Sequence, residues 1–171
     1  HTLATYGKKI LFPRLGMNNS SWLLAELDLK TIATPYEVAN LEQLGAKVFN
    51  LGTRVPVNNG KDLLSFPHFG NPLYPDGGIR SSIKEMATMM ELVLANKDIK
   101  GSPLFTAKTY REMFRLQLDH KVSDKQRFFW SDNQMKLVGH TGSDIGVFTA
   151  FYFDPEQKSG FIVFMNRGQD R

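Results

Sequence analysis

Hydrophobic and polar residues follow three different rhythms along this chain. Residues 2–12 carry Leu3, Ile10, Leu11 and Phe12 and read as the end of a helix, with Pro13 and Gly16 as its stop. Asn18 to Ser21 are capping residue types ahead of a short helix through Trp22-Leu23-Leu24-Ala25-Glu26-Leu27. The helical rhythm is clearest after Ser81 and Ser82, where Ile83, Met86, Ala87, Met90 and Leu94 recur at helical spacing. Ser82 and Glu85 spell a capping box there, and Asn96 to Gly101 ends the run. A further helix starts at Thr106, with Tyr110, Met113, Phe114 and Gln117 along it. Beyond His120 the period shortens. Gln126–Trp130, Met135–His140, Gly146–Phe153 and Gly160–Asn166 read as an antiparallel meander over residues 126–166. Its turns are expected at Ser131-Asp132-Asn133 and at Asp154-Pro155-Glu156-Gln157-Lys158-Ser159. From 34 to 75, Pro56, Pro67, Pro72 and Pro75 with several Gly and Asn predict loops with short strands, placed to act as a flap over a cleft. Helices first and strands last predict an α+β fold with helices packed on an antiparallel sheet.

Composition narrows the class. Apolar residues make up 42% and aromatics 12% of the 171 residues, enough to build a real core and to exclude disorder. The net charge of +4 is spread among scattered Lys and Arg, which favours a mild colloidal effect over a nucleic-acid footprint. Without cysteine there is no disulfide, thiolate metal site or Cys nucleophile. His1, His68 and His120 lack metal-ligand spacing, so neither a metal nor a cofactor is expected. No apolar run approaches the ~18 residues of a membrane span.

Candidate chemistry concentrates in Gly139-His140-Thr141-Gly142-Ser143-Asp144-Ile145-Gly146, flanked by Leu137-Val138 and the β-rich Val147 to Phe153. The run offers a hydroxyl, a ring able to meet a carboxylate, and a glycine where backbone can approach closely. Two other runs share its context: Phe12-Pro13-Arg14-Leu15-Gly16-Met17-Asn18-Asn19-Ser20-Ser21-Trp22, and Tyr74-Pro75-Asp76-Gly77-Gly78-Ile79-Arg80-Ser81-Ser82 leading into a helix. In this order they resemble the serine β-lactamase and penicillin-binding-protein-like hydrolases, closest to the class C-like branch of esterases and D-Ala-D-Ala peptidases.

The resemblance covers nearly the whole chain and implies the C-terminal portion of a β-lactamase/transpeptidase-like α-β-α sandwich, a partial domain over residues 1–171. That family uses Ser-x-x-Lys, then Tyr-x-Asn or Ser-x-Asn, then Lys-Thr-Gly or His-Thr-Gly. Carried over, His140 and Thr141 would help hold a substrate carboxylate, Gly142 would allow close approach, and the Ser143 N–H would join the oxyanion hole.

The other two motifs are not matched. Ser81-Ser82-Ile83-Lys84 spells Ser-x-x-Lys but sits downstream of where the family's nucleophile lies, and reads as a helix cap with a solvated Lys. Ser131-Asp132-Asn133 stands only a few residues before His140 and reads as a hairpin turn. None of the five tyrosines begins Tyr-x-Asn. Arg80 reads as a surface residue, and Phe128, Phe129 and Trp130 as core or sheet-face residues.

The expectation is therefore a C-terminal segment of an acyl-serine hydrolase, acting on an amide or ester such as a β-lactam, a D-Ala-D-Ala peptide or a simple ester. Alone it would be inactive. Its exposed edges would pair with the missing N-terminal part or with a second copy. The resemblance favours an extracytoplasmic or periplasmic location. The rival expectation is a non-catalytic binding or assembly module with the same fold.

Overall fold

The computed structural model describes residues 2–38, 57–58 and 63–168. The chain divides into two compact units. One comprises His1–Ser20, Arg80–Thr141 and Ala150–Val163, and the other Ser21–Ile79, Gly142–Thr149 and Phe164–Arg171.

In the first unit the chain opens with α1 (Leu3–Tyr6), capped by Thr2, whose hydroxyl accepts the Thr5 N–H. A π-helical turn over Gly7–Leu11 then leads into α2 (Phe12–Leu15). The sequence places the stop at Pro13 and Gly16, but only Gly16 ends the helix, in the left-handed conformation with φ 66°. Pro13 lacks an N–H and crowds the carbonyl one turn back. The π-turn directly before it, where Phe12 donates to the Gly7 carbonyl, loosens the helix at that point.

Helix α3 (Ile83–Ala95) follows the expected rhythm and ends at Asn96, again left-handed. Ser82 caps it by accepting the Glu85 N–H. Only half of the capping box forms. The Glu85 carboxylate reaches instead to the Asn19 N–H at 2.9 Å, Asn19 Nδ2 at 3.0 Å and Ser20 Oγ at 2.6 Å. A buried carboxylate is thus satisfied by three donors, which ties the segment after α2 to the start of α3. A second tie joins the Arg14 guanidinium to Asp98 at 3.2 Å.

Helix α4 (Ala107–Phe114) is shorter than the sequence suggests. Arg115 turns extended, and Gln117 leaves the helix to pair its N–H with the Gln126 carbonyl. The core of this unit gathers Met90 and Leu94 of α3 with Val138 and Phe153, and Phe114, Trp130, Phe151 and Ile162 pack around it. Phe153 is the hub, fully buried and meeting Phe114, Trp130 and Phe151 edge-to-face at 5.9, 5.4 and 5.8 Å. Such pairs each contribute about 0.5–1.5 kcal/mol beyond area burial.

The second unit contains a three-stranded sheet in the order β1-β3-β2, built from β1 (Tyr36–Val38), β2 (Val57–Asn58) and β3 (Leu63–Ser65). Leu64 and Phe66 form its small core, with Ile145 packed on them. Tyr36 accepts the Gly168 N–H and donates to the Asn166 carbonyl, so the chain end runs beside β1. The short helix expected over 22–27 is instead a pair of 3-10 turns, Leu24–Glu26 and Leu29–Thr31. Ser21 Oγ accepts the Leu23 N–H and donates to Glu26, closing a turn too tight for an α-helix. The expected flap falls largely on residues outside the described ones.

The meander forms a four-stranded sheet in the order β4-β5-β6-β7: Ser131–Asp132, Val138–Asp144, Val147–Asp154 and Ser159–Met165. Two expectations change. Gln126–Trp130 is not a strand but the approach to a tight hairpin, because Arg127 donates to the Trp130 carbonyl at 2.8 Å and Phe128 and Phe129 occupy its tip. The strand carrying His140 does not stop there but continues to Asp144.

Candidate active site

His140, Thr141, Gly142 and Ser143 lie in succession on β5, and all four are exposed. The strand is anchored just before them. Val138 is buried in the aromatic core, and Gly139 is pressed against β6 so closely that a Cβ would stand 2.5 Å from the Tyr152 ring. Alanine therefore has no room at Gly139.

On its other side β5 is covered only briefly. The register pairs Ser131 with Gly139 and Asp132 with Val138, and β4 goes no further. Asn133 donates to the Leu137 carbonyl, so Leu137 turns its backbone groups toward β4. The two-residue alternation of an antiparallel ladder does the same for Gly139, Thr141 and Ser143. Past Gly139, the Thr141 and Ser143 backbone groups face an edge with no strand on it among the described residues.

Side chains alternate as well. His140 leaves on the face of Val138 and Thr141 on the face of Gly139, so a group bound by both would sit at the open edge between them. His140 Nδ1 meets the Thr141 carbonyl. A carbonyl only accepts, so Nδ1 is the donor in that contact. At Gly142 an added Cβ would lie 2.7 Å from Thr149 Oγ1.

The turn beyond β5 is held from β1. The Gly146 N–H donates to the buried Glu37 carboxylate at 2.8 Å. Gly146 has φ 66°, and a Cβ there would lie 2.6 Å from both Pro35 Cβ and Tyr36 N. Nothing in the sequence singles out Glu37. Its partner lies 109 residues away.

The two other motif spellings are not brought to this strand as catalytic groups. Ser82 is the α3 cap, and Ser81 Oγ lies 2.7 Å from Ser20 Oγ. Ser131 and Asp132 form β4 rather than a turn, and the turn begins at Asn133, whose Oδ1 accepts the Met135 and Leu137 N–H groups. Asp132 forms a two-point pair with Arg127, at 2.5 Å to Nε and 2.8 Å to Nη2. That pairing, against the cost of burial, raises the guanidinium further above its already high value. No helix among the described residues is long and apolar enough to cross a membrane.

A family model described as Beta-lactamase matches residues 1–171, the whole chain. No curated protein matches it.

Proposed function

The chain belongs to the beta-lactamase family, and from that premise we propose that it supplies one wall of an acyl-serine active site for an amide or ester substrate. In this reading the Thr141 hydroxyl and the His140 ring engage an anionic group of the substrate. The Ser143 N–H, on the uncovered edge of β5, stabilises the oxyanion that forms when a serine attacks the carbonyl. The observation that carries the reading is the exposed His140-Thr141-Gly142-Ser143 run on a strand whose edge opens directly after Gly139.

The nucleophile is assigned to a segment outside these 171 residues. Ser82 is committed to capping α3, and Ser81 is tied to Ser20. An incomplete site of this kind needs a partner. In support, β7 is the outermost strand of its sheet among the described residues and leaves Phe161, Val163, Phe164 and Met165 each 38–40% exposed.

The test is intact-mass analysis after incubation with a reactive β-lactam and with an activated ester. The 171-residue chain is expected to gain no adduct, and the same protein extended upstream in its reading frame is expected to gain one on a serine. An adduct on Ser81 of the short chain would overturn the assignment of the nucleophile. Replacing Ser143 by proline in the extended protein removes the N–H and is expected to slow acylation about 100- to 1,000-fold. The commitment of Ser81 and Ser82 to structural bonds also favours a second reading, a non-catalytic binding module. An extended protein that binds the β-lactam reversibly and never acylates would select it.

A further inference from the structure

We propose that the Phe128–Phe129 turn is the apolar wall of this substrate site, selecting an aryl or alkyl group beside the anionic group held at His140 and Thr141. The assignment rests on the hydrolase reading above.

The turn is built against the usual preferences of its position. Arg127 donates to the Trp130 carbonyl at 2.8 Å and Gln126 bridges Ser131, which leaves Phe128 and Phe129 as the two central residues of a tight hairpin. Asn and Gly normally fill such places because a positive φ is required. Phe129 adopts φ 69° all the same, a conformation that a bulky side chain takes only under constraint.

Core packing does not account for the choice. Trp130 is the residue that packs inward, stacked on Phe151 and edge-on to Phe153. Phe128 and Phe129 are 49% and 76% exposed and pair with each other, with ring centroids 4.3 Å apart. The chain thus holds two aromatic rings in water on a backbone that is strained to do so.

The register says where they stand. Ser131 pairs with Gly139. One step outward along the two strands are Trp130 and His140, and the next step reaches Phe129 and Thr141. At about 3.4 Å per residue, the turn lies within roughly 7 Å along the strand direction of the last paired residue. It flanks the point where β5 becomes uncovered, on the chain that precedes β4. A substrate whose polar group meets His140 and Thr141 would therefore lay an adjacent apolar group on the two rings, removing both from water.

Phenylacetate and acetate test this with the 171-residue chain, because they share a carboxylate and differ only in the ring. In a two-dimensional NMR titration, phenylacetate is expected to bind about tenfold more tightly than acetate and to shift His140 and the Phe128 and Phe129 rings together. Phe129→Gly suits φ 69° and keeps the turn. With Phe128→Ser added, it is expected to bring the two affinities to near parity while the rest of the spectrum is unchanged. Equal affinities in the native chain, binding of neither acid, or a preference that survives the double substitution would each overturn the proposal. Its fate is separable from that of the hydrolase reading. Selective phenylacetate binding with no acyl-serine in the extended protein sinks the enzyme and keeps the wall. Acylation with no aryl preference does the opposite.

Discussion

Alanine at Gly146 is expected to destabilise the fold by about 3 kcal/mol, and most of that should come from contact rather than from backbone conformation. Gly146 sits at φ 66°, where a side chain costs roughly 1–2 kcal/mol. Alanine recovers about 0.4–1 kcal/mol by restricting the unfolded chain, so the backbone contribution alone is about 1 kcal/mol. The remainder comes from the new Cβ, which would stand 2.6 Å from Pro35 Cβ and Tyr36 N and 2.8 Å from the Pro35 carbonyl carbon. These are backbone and ring atoms that cannot rotate away, and overpacking of this kind costs roughly 1–3 kcal/mol. Gly101 provides the control, with φ 81° and nothing within 4 Å of an added Cβ. Gly101→Ala should therefore show the backbone contribution by itself. Urea unfolding of both variants measures the difference. With a slope of about 2 kcal/mol/M, Gly146→Ala should lower the midpoint by roughly 1.5 M and Gly101→Ala by about 0.5 M. Equal midpoints would refute the reasoning that the β5–β6 turn is clamped against the Pro35–Tyr36 backbone.

Three further perturbations separate contributions elsewhere. Glu37→Leu removes the acceptor of the buried Gly146 N–H and should cost about 1–3 kcal/mol in urea unfolding. Glu37→Gln keeps an oxygen there and should cost less, so equal losses would show that the hydrogen bond is not the reason. Ser82→Ala should cost about 1 kcal/mol as a lost helix cap and Ser81→Ala less, and the reverse order would contradict the assignment of Ser82 as cap. Burial pushes the Asp98 carboxyl up, but the Ser102 and Lys100 N–H groups and the Arg14 guanidinium outweigh it and hold the carboxyl below its ordinary value. A carboxyl lowered in the folded state stabilises above its unfolded value, and that stability is lost as pH falls through the folded one. The gap in urea midpoint between the native chain and Asp98→Asn should thus be constant above about pH 5 and narrow below about pH 4. A gap that widens on acidification would show the opposite sign.

The sequence determined the elements whose rhythm is local. Helix α3 is legible because Ile83, Met86, Ala87, Met90 and Leu94 repeat along one face and Ser82 is a capping residue. The strands β5, β6 and β7 are legible because apolar β-formers run between turn residues, and the order α then β already implies the layered class. The run His140 to Ser143 is legible as candidate chemistry because its spelling resembles that of a known family. Where a residue's role depends on partners far along the chain, the same reading fails. Pro13 looks like a helix stop, yet a π-turn absorbs it. Glu85 looks like the second half of a capping box, yet Asn19 and Ser20, more than 60 residues away, claim its carboxylate. Phe128 and Phe129 look like core or sheet-face residues because composition equates aromatic with buried. Only the Arg127–Trp130 hairpin closure, with Trp130 taking the inward position, turns them into solvent beside the open edge of β5. The sequence thus names the strand that carries the candidate site. Long-range pairing decides which edge of that strand is uncovered and what stands next to it, because register and close approach are properties of two segments at once.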